Sequence, residues 1–220
     1  MPILEGRSRA AATGEAKSLV ILLHGYGADG ADLIGLADPL SRYLPHSMFL
    51  APNAPERCAN NPFGFQWFPI PWMDGSSEEQ MTQSFLQSVD ILNTYLDEVA
   101  EESGIAPEDT ILMGFSQGTM MSLHVAPRRA RPVAGIVGFS GRLLAPEAIG
   151  EVQVKPPILL VHGDADPVVP YESMEDAAKV LSGAGFSVAT HTSPGTPHGI
   201  APDGLGRALA FCQEHLEHLA

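Results

Sequence analysis

Thr110-Ile111-Leu112-Met113-Gly114-Phe115-Ser116-Gln117-Gly118-Thr119-Met120-Met121-Ser122-Leu123-His124-Val125 reads as an apolar strand, a tight turn and a helix-compatible run. Ile111-Leu112-Met113 is an unbroken apolar run, as expected of a strand covered on both faces. Gly114-Phe115-Ser116-Gln117-Gly118 fits G-x-S-x-G, a pattern that is common by chance and gains weight only between a strand and a helix. In that setting Ser116 stands on a sharp elbow at the carboxyl end of a sheet. The glycines on either side are needed because a Cβ there would clash in so tight a turn. A helix N-terminus beside the serine offers N–H groups without intrahelical partners, which favour developing negative charge.

On both sides of the elbow, short apolar runs alternate with longer amphipathic stretches, the pattern of a parallel sheet wrapped by helices. Strands are expected at 18–23, 47–51, 109–115, 133–139, 157–162 and 186–192. A long helix is expected over 78–102, because Met81, Phe85, Val89, Leu92, Leu96 and Val99 recur at steps of three and four. Ser76 followed by Glu79 reads as its capping box, and Gly104 and Pro107 end it. Two more helices are expected at 171–183 and 202–219. With no internal repeat or low-complexity linker, the expectation is one α/β domain over 1–220, residues 1–17 being an N-terminal extension.

The segment 52–75 breaks this alternation. It holds Pro52, Pro55, Pro62, Pro69 and Pro71 together with Phe63, Phe65, Trp67, Phe68 and Trp72. So many prolines prevent a regular helix or a central strand. Its aromatics either complete the core or form the wall of an apolar substrate pocket, and Phe63, Phe65, Trp67 and Phe68 are the candidate wall residues.

The 220 residues suffice to bury a core, and 45% hydrophobic with 17% charged residues is an ordinary globular balance. A net charge of -14 sets the surface against phosphate backbones and anionic lipid headgroups, so no nucleic acid is expected as a partner. The polar N-terminus lacks the apolar core of a signal peptide, and Leu19 to Leu23 is too short to span a bilayer. No stable membrane insertion is therefore expected. Cys58 and Cys212 have no metal-like spacing and read as free thiols of a cytoplasmic protein.

A serine hydroxyl needs a base within reach, and on this architecture the partners follow in the order serine, acid, histidine. Among the later histidines, His124 falls in the helix after the elbow, His162 ends a strand and His191 lies within one. His215 and His218 sit in the last helix. His198 stands in the irregular run Ser193-Pro194-Gly195-Thr196-Pro197-His198-Gly199 after the last strand, where the base belongs. His162-Gly163-Asp164-Ala165-Asp166-Pro167 offers two carboxylates, and position does not choose between them. One would orient the histidine while the other caps the turn. The backbone N–H of Gln117 is one expected oxyanion donor, and the second should come from His24-Gly25-Tyr26-Gly27-Ala28-Asp29-Gly30. Gly25, Gly27 and Gly30 also satisfy G-x-G-x-x-G, but the acidic residue of a dinucleotide site is missing where the second strand ends in Leu50-Ala51-Pro52-Asn53.

Gly114 to Gly118, Phe139-Ser140-Gly141, His162 to Pro170 and His198-Gly199-Ile200 together resemble the bacterial carboxylesterase/phospholipase family related to the acyl-protein thioesterases. The likeness runs over most of the chain. It implies the α/β-hydrolase fold, a mostly parallel central sheet with helices on both faces. It further implies Asp166 as the triad acid beside Ser116 and His198, and Tyr26 with Gln117 as oxyanion donors. The chain departs from the family pattern at Thr119, at Pro197 and at Trp67-Phe68-Pro69, the last of which alters the presumed pocket wall. The implied activity is that of a serine carboxylesterase acting on a small-molecule ester with a short to medium apolar acyl chain, using no metal or organic cofactor. Acyl thioesterase and lysophospholipase activities are the alternatives within enzymes. A binding protein on a hydrolase scaffold is the alternative outside them. A homodimer is compatible with the sequence.

Overall fold

A computed structural model describes residues 3–216. Its strands are β1 (Gly6–Arg9), β2 (Ser18–Leu23), β3 (Ser47–Pro52), β4 (Glu56–Arg57), β5 (Phe65–Gln66), β6 (Thr110–Phe115), β7 (Gly135–Phe139), β8 (Ile158–Gly163) and β9 (Val188–Ser193). Seven of them form one sheet in the order β1-β3-β2-β6-β7-β8-β9, parallel throughout except for β1. The chain runs outward from β2 to β3, then returns to place β6 on the other side of β2. Loops leaving β2 and β6 therefore diverge at a topological switch point, where open α/β sheets place their ligands.

The helices are α1 (Gly30–Leu33), α2 (Ala37–Ser41), α3 (Pro71–Asp74), α4 (Glu78–Ser103), α5 (Gln117–Val125), α6 (Glu172–Gly183) and α7 (Pro202–Leu216). Successive strand residues divide between the two faces, as the pleat requires. Leu19, Ile21, Leu23, Leu112, Ile136 and Leu160 pack with Leu92, Leu96 and Leu181 of α4 and α6. Val20, Leu22, Met113, Val137 and Val161 pack with Leu40, Ala208 and Phe211 of α2 and α7. The result is the α/β-hydrolase fold.

Three expectations need correction, and one lies partly outside the described residues. Part of the segment taken as an extension is β1, which pairs antiparallel with β3 from Gly6 opposite Pro52 to Arg9 opposite Phe49. All four of its residues are exposed, so no hydrophobic alternation marks it in the sequence. The cap of α4 lies one residue later than read. Ser77 accepts from the Gln80 N–H, while the Gln80 side chain accepts from the Ser77 N–H. The 52–75 segment is not wholly irregular, because β4 and β5 form a small hairpin and α3 a single turn. Finally, α7 begins where expected, but the end expected at 219, and His218 with it, lies outside the described residues.

Candidate active site

Ser116 occupies the elbow between β6 and α5 with φ 54° and ψ −114°, a backbone state that costs a non-glycine residue roughly 1–3 kcal/mol. Its N–H donates to the Phe139 carbonyl (2.9 Å), and its carbonyl accepts from the Met120 N–H (3.1 Å). The flanking glycines are a steric necessity. A Cβ on Gly118 would lie 1.8 Å from the Leu23 carbonyl oxygen, and one on Gly114 2.3 Å from the Gly118 carbonyl carbon. Thr119 then locks the elbow from below. Its hydroxyl lies 2.8 Å from the carbonyls of both Gly114 and Phe139.

The loops after β8 and β9 meet at the same end of the sheet. Asp166 Oδ2 accepts from His198 Nδ1 at 2.7 Å, while Oδ1 accepts from the N–H groups of Val168 (2.8 Å) and Val169 (3.0 Å). Burial pushes the Asp166 carboxyl up, but the His198 hydrogen bond, those two N–H donors and the imidazole charge hold it below the usual carboxylate range. Asp164 does not cap its own turn, as had been expected of the second carboxylate. It reaches across to accept from the Gly195 N–H at 2.6 Å, tying the acid loop to the loop that carries His198. Gly163 permits that approach, since a Cβ there would stand 2.1 Å from the Thr196 carbonyl oxygen.

The loop after β2 is braced by His24. The Ala54 N–H donates to its Nε2 (2.9 Å), so Nδ1 carries the proton and donates to the Gly25 carbonyl (2.7 Å). Burial keeps this imidazole neutral by drawing its pKa below the ordinary 6.5. Further along the loop, the Gly27 N–H and Phe65 carbonyl, and the Phe65 N–H and Ala28 carbonyl, bond at 2.8 Å each. The Tyr26 hydroxyl donates to Asp74 Oδ2 at 3.1 Å. On the other side Gln117 opens α5, so its N–H is one of the first-turn donors with no partner inside the helix. Its side chain clamps the 52–75 segment, accepting from the Trp67 N–H (3.1 Å) and donating to the Phe68 carbonyl (2.7 Å).

Tyr26, Ser116, Gln117 and His198 line one cavity of about 540 Å³, walled by Phe68, Ile70, Pro71, Trp72, Met73, Met81, Phe115, Met120 and Val169. Of the four expected wall aromatics only Phe68 is there. Trp67 is fully buried and donates from Nε1 to the His24 carbonyl (2.9 Å), a scaffold role. Phe65 lies under the Arg57 guanidinium at 4.3 Å and faces His24. Phe63, at 84% exposure, points to solvent from the tip of the β4–β5 hairpin. Proline content identified the irregular segment but says nothing about which side chain turns inward. Met81 shows a different limit, because the α4 stripe that read as core continues past the core into the cavity.

Residues 8–216 match the phospholipase/carboxylesterase family. The chain belongs to that family. Among curated relatives, acyl-protein thioesterase 1 of Gibberella zeae is 29% identical over 93% of each chain. The protein of the same name from Saccharomyces cerevisiae is 34% identical over 76% of this chain and 78% of its own. Among solved structures, esterase PE8 is similar at a TM-score of 0.88 and 44% identity, covering 97% of this chain and 99% of that one. Family membership makes the chain a hydrolase. Among the described residues no helix is long and apolar enough to cross a membrane.

Proposed function

We propose that the chain is a serine carboxylesterase working through an acyl-enzyme, with Ser116 as nucleophile, His198 as base and Asp166 as the orienting acid. The observation that carries this reading is the 2.7 Å bond between Asp166 Oδ2 and His198 Nδ1. It fixes Nδ1 as the protonated ring nitrogen and leaves Nε2 to take the Ser116 proton. As Oγ bonds to the ester carbonyl carbon, that proton passes to Nε2. The Asp166 carboxylate then stabilises the imidazolium. The N–H groups of Tyr26 and Gln117 receive the oxyanion. Collapse of the intermediate breaks the carbon–oxygen bond to the alcohol, which leaves with the proton from Nε2. Water, deprotonated by the same imidazole, then releases the acid and restores Ser116.

The cavity volume and its apolar walls support a short to medium acyl group. Two buried, free cysteines are compatible with work in a reducing cytoplasm. The names of the fungal relatives favour thioesterase activity as the second reading, and the same residues would perform it.

A fluorophosphonate probe should label the native protein at Ser116, and Ser116→Ala should lose both label and activity. Absence of labelling would sink the serine mechanism and favour a binding protein on a hydrolase scaffold. Rates on a p-nitrophenyl ester series, acyl-CoA and lysophosphatidylcholine then separate ester, thioester and lysophospholipid hydrolysis.

A further inference from the structure

Arg142 is out of keeping with the cavity it lines. The walls around it are apolar, and the whole chain carries 26 acidic against 12 basic residues. Five other arginines are engaged, Arg9, Arg128, Arg129 and Arg131 in ion pairs and Arg57 over Phe65, while Arg7, Arg42 and Arg207 lie away from this cavity. Among the described residues Arg142 has neither an ion pair nor a hydrogen bond, and it is exposed at the cavity that holds Ser116 and His198. Glu78 lines the same cavity without pairing with it.

The backbone holds this arginine in place. Gly141 is packed against the elbow, where a Cβ would lie 2.4 Å from Thr119 Cβ and 3.1 Å from the Ser116 carbonyl oxygen. Ser140 (φ 47°) and Ala145 (φ 48°) bracket the loop in the left-handed region, a state that persists only where the surroundings enforce it. Ser140 is buried, and its N–H donates to the Val161 carbonyl at 2.9 Å. Arg142 is thus presented from a backbone fixed one residue away from contact with the nucleophile.

We infer that Arg142 is a cationic subsite that receives an anionic group, carboxylate or phosphate, carried by the ester substrate. The inference rests on the esterase reading above and names the substrate class. A guanidinium presents N–H donors in a fork that matches either oxyanion, and an unengaged fork loses no internal partner on binding. Apolar walls displace water as substrate enters, which strengthens the pair. Glu78, which lines the same cavity, repels such a group, so the guanidinium is where it would settle. A neutral alkyl chain would gain nothing from the arginine.

The test compares kcat/KM for matched pairs on wild type, Arg142→Gln and Arg142→Lys. One arm sets mono-p-nitrophenyl glutarate against its neutral methyl ester. The other sets lysophosphatidic acid against the monoacylglycerol with the same acyl chain. The anionic-to-neutral ratio should fall about tenfold or more in Arg142→Gln in one arm, with partial recovery in Arg142→Lys. The arm that responds identifies carboxylate or phosphate. Ratios equal to wild type in both arms, with all esters still cleaved, would overturn the subsite and leave the esterase standing. A wild-type protein inactive on all four esters would overturn the esterase reading and the subsite with it.

Discussion

His124 stands about two turns past the elbow on α5 yet takes no part in the cavity. Its ring packs edge-on against Phe85 at 4.8 Å, and its Nδ1 is buried without a partner. Burial pulls its pKa down to about 4, helped by the charge of Arg128 and opposed by Glu151. In the unfolded chain the same imidazole takes up a proton near the ordinary 6.5. Between those values the unfolded state binds more protons than the native one, so stability must fall as pH drops from about 6.5 towards 4. His124→Leu removes that linkage while keeping an apolar contact for Phe85. The melting temperature of the variant should therefore depend less on pH over this window than that of wild type. Parallel melting curves for the two proteins would rule His124 out as a source of acid sensitivity. The residue scale is also where reading the sequence reached its limit. Its place in the loop after the last strand separates His198 from the other histidines, but Asp164 and Asp166 differ only in direction. One turns to Gly195 and the other to the imidazole, a distinction made by turn geometry rather than by residue type.

At the scale of elements, the contact of β6, α5 and β7 explains a residue that departs from the family pattern. Thr119 adds side-chain bulk in a crowded place, and the opposing positions are glycines. A Cβ on Gly138 would meet Thr119 Cγ2 at 2.5 Å, and one on Gly141 would meet it at the same distance. The threonine and the two glycines therefore form one packing unit, and changes within it should not add. Gly138→Ala should destabilise by about 1–3 kcal/mol through overpacking. Thr119→Ala should also destabilise, because it leaves a void and removes the donor to two carbonyls. The double variant should cost less than the sum of the two singles, measured by urea unfolding. An additive result would mean that Gly138 is required for some reason other than Thr119. This pairing was not legible, because it joins positions on separate elements. What was legible were the buried strands and α4, whose apolar runs and stripe each declare a covered face. The short α1 and α2 escaped notice, since four or five residues hold too little periodicity to register.

On the scale of the whole molecule, the sheet order separates the place of chemistry from the place of vulnerability. The switch point between β2 and β6 lies well inside the sheet, while β1 forms one edge. Strand β1 shields β3, whose Phe49, Ala51 and Pro52 are buried, and it faces solvent with Arg7, Ser8 and Arg9, the polar and charged dress that discourages edge-to-edge pairing. Leu4 joins the core just before it, the Ile3 N–H reaches Glu98, and the Glu5 carbonyl accepts from the Asn53 N–H at 2.7 Å. Removing residues 1–10 would strip these anchors and open the β3 ladder to other chains. Each kcal/mol lost should lower the melting temperature by roughly 2–4 °C at this chain length. Light scattering should reveal association that grows with concentration. Below its melting temperature the shortened protein should still react with the fluorophosphonate probe, because two strands separate the damaged edge from β6 and Ser116. An unchanged melting temperature with monodisperse scattering would show that β1 neither stabilises nor protects the sheet. Loss of labelling well below melting would show that the edge and the switch point are mechanically coupled.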